Sequence, residues 1–257
     1  MPAASRLKRS ILSLSSAQFR VGWLRDHLFG LTVEVASEQL AGLCAEGEQA
    51  DPDAREALLA LVMLLAELGD CEWVDGLRAA ARAGHLWSLE RLLRRQSPAP
   101  AVERRFEQQP VPDYGAGREL TVGERRSLAR RPDRSTFEKL LADPHPLVLT
   151  QLMQNPRLTE DDVVFVATRR PARREALRAI AASPRWLRQT RVRMAILQNP
   201  GSPASVAVPL LALCTRQELR QLTEAADASS VLRVTARELL ERRPPLPEVA
   251  PENRRLQ

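Results

Sequence analysis

Lysine is almost missing from this sequence. Of 38 basic residues in 257, only Lys8 and Lys139 are lysines; the rest are arginines. Aromatic side chains make up 4% of the chain, and β-branched residues are thin against Ala, Leu and Arg. That bias favours helices and argues against a sandwich or barrel. Eleven glycines are too few for a glycine-rich phosphate site to be the default, and no Walker, GxGxxG or HExxH pattern occurs. The three cysteines, Cys44, Cys71 and Cys214, are odd in number and far apart. They fit neither a CxxC metal pattern nor a disulfide framework, so a reducing cytoplasm is expected. The longest apolar run, 57–66, is about half of the ~20 residues that a membrane span needs. No long apolar stretch follows Arg6, Lys8 and Arg9, so neither a secretory signal nor a membrane partner is expected.

What is present is charge, unevenly placed. Net charge is +6. Residues 1–96 carry 11 basic and 13 acidic groups, net −2, whereas 118–244 carry 23 and 14, net +9. The shift coincides with a change of style. Residues 97–117 are rich in proline and glycine and read as a linker. The cluster Pro244-Pro245-Leu246-Pro247 opens a frayed tail over 245–257. The reading is a small helical N-terminal domain (1–96), a linker (97–117) and a second domain (118–244). In the first, Asp51-Pro52-Asp53 starts a helix carrying Leu58, Leu61, Val62, Leu65 and Leu68 at helical period. Trp23, Trp73 and Trp87 sit beside leucines and read as core anchors.

The second domain repeats itself. Units 119–156, 157–200 and 201–244 end HPLVLTQLMQNP, RVRMAILQNP and TARELLERRP, with closing prolines 44 residues apart in both steps. Thr121/Glu124, Ser135/Glu138, Thr159/Asp162 and Thr215/Glu218 have capping-box spacing. Middle helices are expected to bury Phe137, Leu140 and Leu141, then Leu177, Ile180 and Ala181, then Leu219, Leu222 and Ala226. Last helices carry Val148 and Leu152, then Val192, Ala195 and Ile196, then Ala236, Leu239 and Leu240. A unit of this kind hides its apolar face only by stacking, which gives an all-α chain ending in an α-solenoid of about three units.

The stretches ADPHPLVLTQLMQNPRLTEDDVVFVA and RVRMAILQNPGSPASVAVPLLAL resemble bacterial leucine-rich repeat variants and HEAT-like repeats. Asn155-Pro156 and Asn199-Pro200 carry the likeness, with Leu158-Thr159 and Ser202-Pro203 behind them. The resemblance covers about half the chain and implies an armadillo-like fold. A leucine-rich repeat variant protein is known with a cysteine-rich iron–sulfur module; this chain has no cysteine cluster, so no cofactor is implied.

Few residues invite chemistry. Asn155 and Asn199 read as helix-end residues, since Asn tolerates the left-handed conformation and bonds its own backbone. Glu160-Asp161-Asp162 suits the first turn of a helix rather than a metal. His27, His85 and His145 share no motif, so no catalytic residue, metal or enzyme activity is expected. The arginines form the one constellation. Arg130-Arg131 and Arg169-Arg170 each precede a proline at matching repeat positions. Arg134, Arg173, Arg174, Arg178, Arg216 and Arg220 follow at related places. Stacked units would put them on one edge as a ladder, whose planar forks suit carboxylate or phosphate; a solvated face balanced by neighbouring acids, in a chain whose arginines reflect codon supply, is the plainer reading. The first functional expectation is a scaffold binding an acidic segment of a protein partner. The second is nucleic-acid binding through the ladder, with HEAT-like alkylpurine DNA glycosylases as a fold analogy whose catalytic residues find no match here. Acids interleaved with the arginines would weaken the second.

Overall fold

The computed structural model describes residues 3–95, 110–170 and 173–244. Every regular element among them is helical. The first half holds α1 (Ala3–Leu12), α2 (Ala17–Phe29), α3 (Val33–Glu48), α4 (Pro52–Leu68), α5 (Glu72–Ala83) and α6 (Trp87–Leu92). The second half begins with α7 (Val122–Arg130), α8 (Arg134–Leu141) and α9 (Pro146–Met153). Next come α10 (Glu160–Thr168), α11 (Arg174–Ala181), the single turn α12 (Pro184–Leu187) and α13 (Thr190–Leu197). Then α14 (Ala204–Leu210), a 3-10 turn (Leu211–Leu213), α15 (Arg216–Glu224) and α16 (Ser230–Arg242) follow.

The starts of these helices follow from side-chain chemistry. Asp51 accepts from the Ala54 amide, with Pro52 just inside α4. Thr121/Glu124, Thr159/Asp162 and Thr215/Glu218 form complete capping boxes. Ser135 does not cap: α8 starts two residues earlier, with Asp133 accepting from the Thr136 amide. A carboxylate two residues upstream outcompetes the hydroxyl for the same orphan amides.

The central element is α4. All of 57–66 is buried, on every side of the helix. A helix that is apolar all round needs two neighbours, and α4 has them. It packs against α1, α2 and α3 on one side and against α11, α12 and α14 on the other. Polar contacts repeat the connection. Arg55 Nη2 donates to the Leu213 carbonyl at 2.8 Å. Arg188 reaches Glu56 at 2.7 Å, and Arg94 forks onto Glu238 at 2.9 and 3.1 Å. One hydrophobic core therefore runs through residues of both halves. Separate packing of 1–96 and 118–244, expected from the change in composition, is not what the contacts show. The composition changes on the surface, while the core is shared. Most of the proline-rich 97–117 segment lies outside the described residues. Its described end, 110–117, is not helical, and Tyr114 is tied down there by a 2.7 Å bond to buried Asp143.

Within the second half, three residues at 44-residue intervals do one job. Asn155 Nδ2 donates to the Ala129 and Arg130 carbonyls at the end of α7, at 3.0 and 3.1 Å. Asn199 Nδ2 donates to the Ala167 and Arg169 carbonyls at the end of α10, at 2.7 and 3.2 Å. Arg243 takes the third position and donates to the Cys214 and Ala212 carbonyls after α14. Each buried side chain satisfies carbonyls that a helix end leaves unpaired. Neither Asn is left-handed; among the described residues the positive-φ residues other than glycine are Ala50 and His85. Local geometry alone does not explain Asn155 and Asn199: each clamps a helix end about 30 residues away.

The expected interior positions are buried from Leu140 to Leu239, apart from half-buried Phe137 and Leu240 and exposed Ala226, which lies past the end of α15. Leu177 is 1% exposed and Ile180 0%. Replacing Leu177 with Ala is expected to cost about 2–5 kcal/mol, read as a lower midpoint in urea. Exposed Arg174→Ala on the same helix should stay within about 0.5 kcal/mol. Equal losses would contradict this packing. The tryptophans correct a second expectation. Trp186 is the buried one, with its Nε1 donating to the Met153 carbonyl at 2.9 Å. Trp87 is 59% exposed, and Trp23 and Trp73 are half-buried.

Candidate interaction surface

The arginines sort into two populations by what their guanidinium groups touch. Several are interior parts. Arg91 forks onto Glu48 at 2.8 and 2.6 Å, both groups buried. Arg125 donates to both oxygens of Asp143 at 2.8 and 2.7 Å. Arg193 holds Glu218 at 2.5 Å and the Leu187 carbonyl at 2.7 Å. Arg185 is exposed but tied down in the same way: it donates to the Asn155 and Leu158 carbonyls and lies over the Trp186 ring, 4.2 Å from its centre. These arginines do the work that capping residues do elsewhere.

The ten positions expected to form a ladder divide the same way. Arg216 is structural: it donates to the Leu240 carbonyl at 2.8 Å and to the Arg243 carbonyl. Arg178 is half-buried, and its guanidinium lies close beneath Gly69 at the end of α4. No basic residue stands in the last turn of α4, so Arg178 supplies from another helix the cation that a helix C-terminus favours. Gly69 has φ +63, and a Cβ there would meet the guanidinium at 2.8 Å, so only glycine suits the position. Arg130, Arg131, Arg169, Arg170, Arg174 and Arg220 are exposed. Arg134 is the first residue of α8.

The exposed pairs do not share an edge. Arg130 sits where Asn155 ends α9. Arg173, four residues after Arg169, donates to the Asp143 carbonyl just before α9 begins, at 3.4 Å. The other end of the same contact is fixed by Trp186 on Met153. So α9 and α11 run in the same direction, and the two arginine pairs lie at opposite ends of α9. Eight residues of helix separate them by about 12 Å. The cause is arithmetic: α7, α8 and α9 are three alternating helices, as are α10, α11 and α13, so the second set starts inverted relative to the first. An odd number inverts the next unit, so equivalent turns alternate between two rims.

The rim holding Arg169, Arg170, Arg173 and Arg174 is the stronger basic corner. These residues close α10 and open α11. Arg173 has its pKa lowered, first by burial and then by the adjacent Arg169. The start of α11 has no side-chain cap, so its positive end adds to the field. Acids are interleaved. Arg170 meets Asp227 at 3.1 Å, Arg191 meets Asp161 at 2.8 Å, and Arg188 meets Glu56. Among the described residues no group of His, Cys, Asp and Glu is placed to hold a metal. A cavity between α3, α4, α6, α14 and α16 holds about 20 Å³ and is lined by Cys44, Glu48, Arg91 and Arg243 among others. That is room for about one water. No helix among the described residues is long and apolar enough to cross a membrane.

Sequence reasoning picked out the arginine pairs before prolines but expected them on one edge, whereas they lie at opposite ends of α9. It missed the interior arginines, because burial of an arginine depends on an acid or carbonyl far along the chain. It also missed the exposed aromatics Phe19, Phe29, Trp87 and Phe165. Phe19 and Trp23 lie one helical turn apart, a spacing that the sequence shows but that suits a core face equally well. No protein-family model, curated protein or solved structure matches the chain.

Proposed function

We propose that this chain is a non-enzymatic, HEAT-like helical-repeat scaffold. In this reading the basic corner of Arg169, Arg170, Arg173 and Arg174 receives a carboxylate-bearing segment of a protein partner. The observation that carries the reading is the crowding of Arg173 against Arg169 at an uncapped helix start. Among the described residues only Arg170 of the four has a carboxylate in an ion pair. Like charges held together lose repulsion when an anion arrives, and guanidinium forks take carboxylates two bonds at a time. The matched donors Asn155, Asn199 and Arg243 support the repeat description, because three units spend the same position on the same bond. Nucleic-acid binding is disfavoured by the split between rims and by the interleaved acids, which break a phosphate track.

The test titrates the full chain with a labelled Glu-rich peptide and, in parallel, with random-sequence duplex DNA between about 50 and 200 mM salt, a range over which phosphate contacts cost orders of magnitude. Replacing Arg169 and Arg170 together with Ala is expected to weaken the peptide by about tenfold or more, or 1.4 kcal/mol. Duplex should bind more weakly than about 100 μM at the low-salt end, the edge of ordinary non-specific affinity. Tight duplex binding with a log–log salt slope near about −5 would replace the protein-scaffold reading with the nucleic-acid one.

A further inference from the structure

Two helices present outward faces whose composition their own packing does not explain. On α2 the buried residues are Val21, Leu24 and Leu28. Its other side carries Phe19, 67% exposed, together with Gly22, Asp26 and half-buried Trp23, one ring face of which is stacked on His27. Gly22 is in mid-helix, where glycine weakens a helix relative to alanine. Two other helical glycines have an internal reason. A Cβ on Gly42 would strike Ala4 at 2.5 Å, and one on Gly47 would strike Leu58 at 2.3 Å. A Cβ on Gly22 would meet nothing within 4 Å. The chain itself has no use for the missing side chain; a second helix laid across α2 would. Phe19 and Trp23 flank that spot, and Asp26, one turn on, is exposed with no ion pair among the described residues.

The second face is on α16. Leu232, Thr235, Ala236 and Leu239 point inward. Arg233, Val234 and Arg237 point outward, with Val234 50% exposed. Neither arginine has an ion pair among the described residues. This face is the complement of the first: an aliphatic spot between two guanidiniums, against a glycine notch between aromatics and a carboxylate. Arginine stacks on Trp faces and pairs with carboxylates.

We infer that the chain associates with a second copy of itself head to tail, the α16 face of one molecule seating Val234 over Gly22 on the α2 face of the next. The two faces differ, so the contact is heterologous and propagates into a ring or an open chain. It uses neither Arg169 nor Arg170, and it stands or falls independently of the proposed partner site.

The test uses the full chain and two single variants, Gly22→Leu and Val234→Glu, in a sedimentation series over protein concentration. The parent should show a mass that rises above the monomer. Each variant alone should stay monomeric, because each has lost one of the two faces. An equimolar mixture should form dimers and nothing larger, since one good face remains on each partner. A melting temperature of dilute Gly22→Leu at or above the parent's separates a blocked face from a misfolded chain. A parent that stays monomeric throughout overturns the inference. So does undiminished association of Val234→Glu, which would point to α2 pairing with itself, and so does a mixture that stays monomeric.

Discussion

Residues 118–244 expressed without the preceding half are expected to show no cooperative thermal transition. The reason is α4. Its buried run 57–66 covers the inner faces of α11, α12 and α14. Removing it uncovers the faces of α11, α12 and α14 that pack on it, in helices whose Leu177, Ile180, Leu187, Val206 and Leu210 are each now at or below 2% exposure. At roughly 1.5–3 kcal/mol for each large aliphatic side chain, the loss is comparable with the whole stability of a domain, about 5–15 kcal/mol. Arg188 and the Leu213 carbonyl lose Glu56 and Arg55 as well. Co-expression of 1–95 as a separate chain should restore a single transition, because the missing surface then returns without the connection. Circular dichroism of the fragment alone and of the pair decides the matter. A fragment that melts cooperatively by itself would show that the second half carries its own core.

Removing one member of the Arg125–Asp143 pair should be nearly as damaging. Asp143 is 0% exposed, and its carboxylate also accepts from Tyr114 and from the His145 amide. Asp143→Ala leaves the Arg125 charge buried with no carboxylate. The expected cost is about 3–5 kcal/mol, because an uncompensated charge keeps its desolvation penalty. Replacing both, as Arg125→Met with Asp143→Leu, is expected to cost less than Asp143→Ala alone, because no buried charge is left unpaired; what loss remains comes from the Tyr114 hydroxyl and the His145 amide, which lose their acceptor. Denaturant midpoints for the two single variants and the double variant form a complete cycle. If Asp143→Ala costs under about 1 kcal/mol, water reaches the site and the buried-pair description fails.

These two pairs of expectations mark what a sequence of this kind reveals and where it stops. The helices, their proline starts and three capping boxes could be read directly, because each depends on residues within one turn. Burial at 44-residue spacing was also legible, since periodic leucines report which side of a helix is hidden. The sharing of α4 was written in the unbroken run 57–66, but length alone made that run an argument about membranes. Only its neighbours reveal that it faces two ways. The arginine pairs were expected on one edge, but α9 and α11 run in the same direction, which puts Arg130 and Arg169 at opposite ends of α9. Arg216 and Arg178 left the surface for a similar reason, since the carbonyls and helix end they serve lie at Leu240 and Gly69.

The placement of α4 also sets a schedule for synthesis. When the ribosome has released residue 68, the helix can dock on α1 to α3, but its partner α14 ends at Leu210. At about 5–20 residues per second, some 7–28 s pass before the other side of the helix can be covered. Through that interval the growing polypeptide displays a greasy flank that sticks to chaperones or to a neighbouring nascent copy. Slower elongation beyond the first half would lengthen the exposure, so yield in the cell is expected to respond to codon choice between α6 and α14 more sharply than to codon choice after α16.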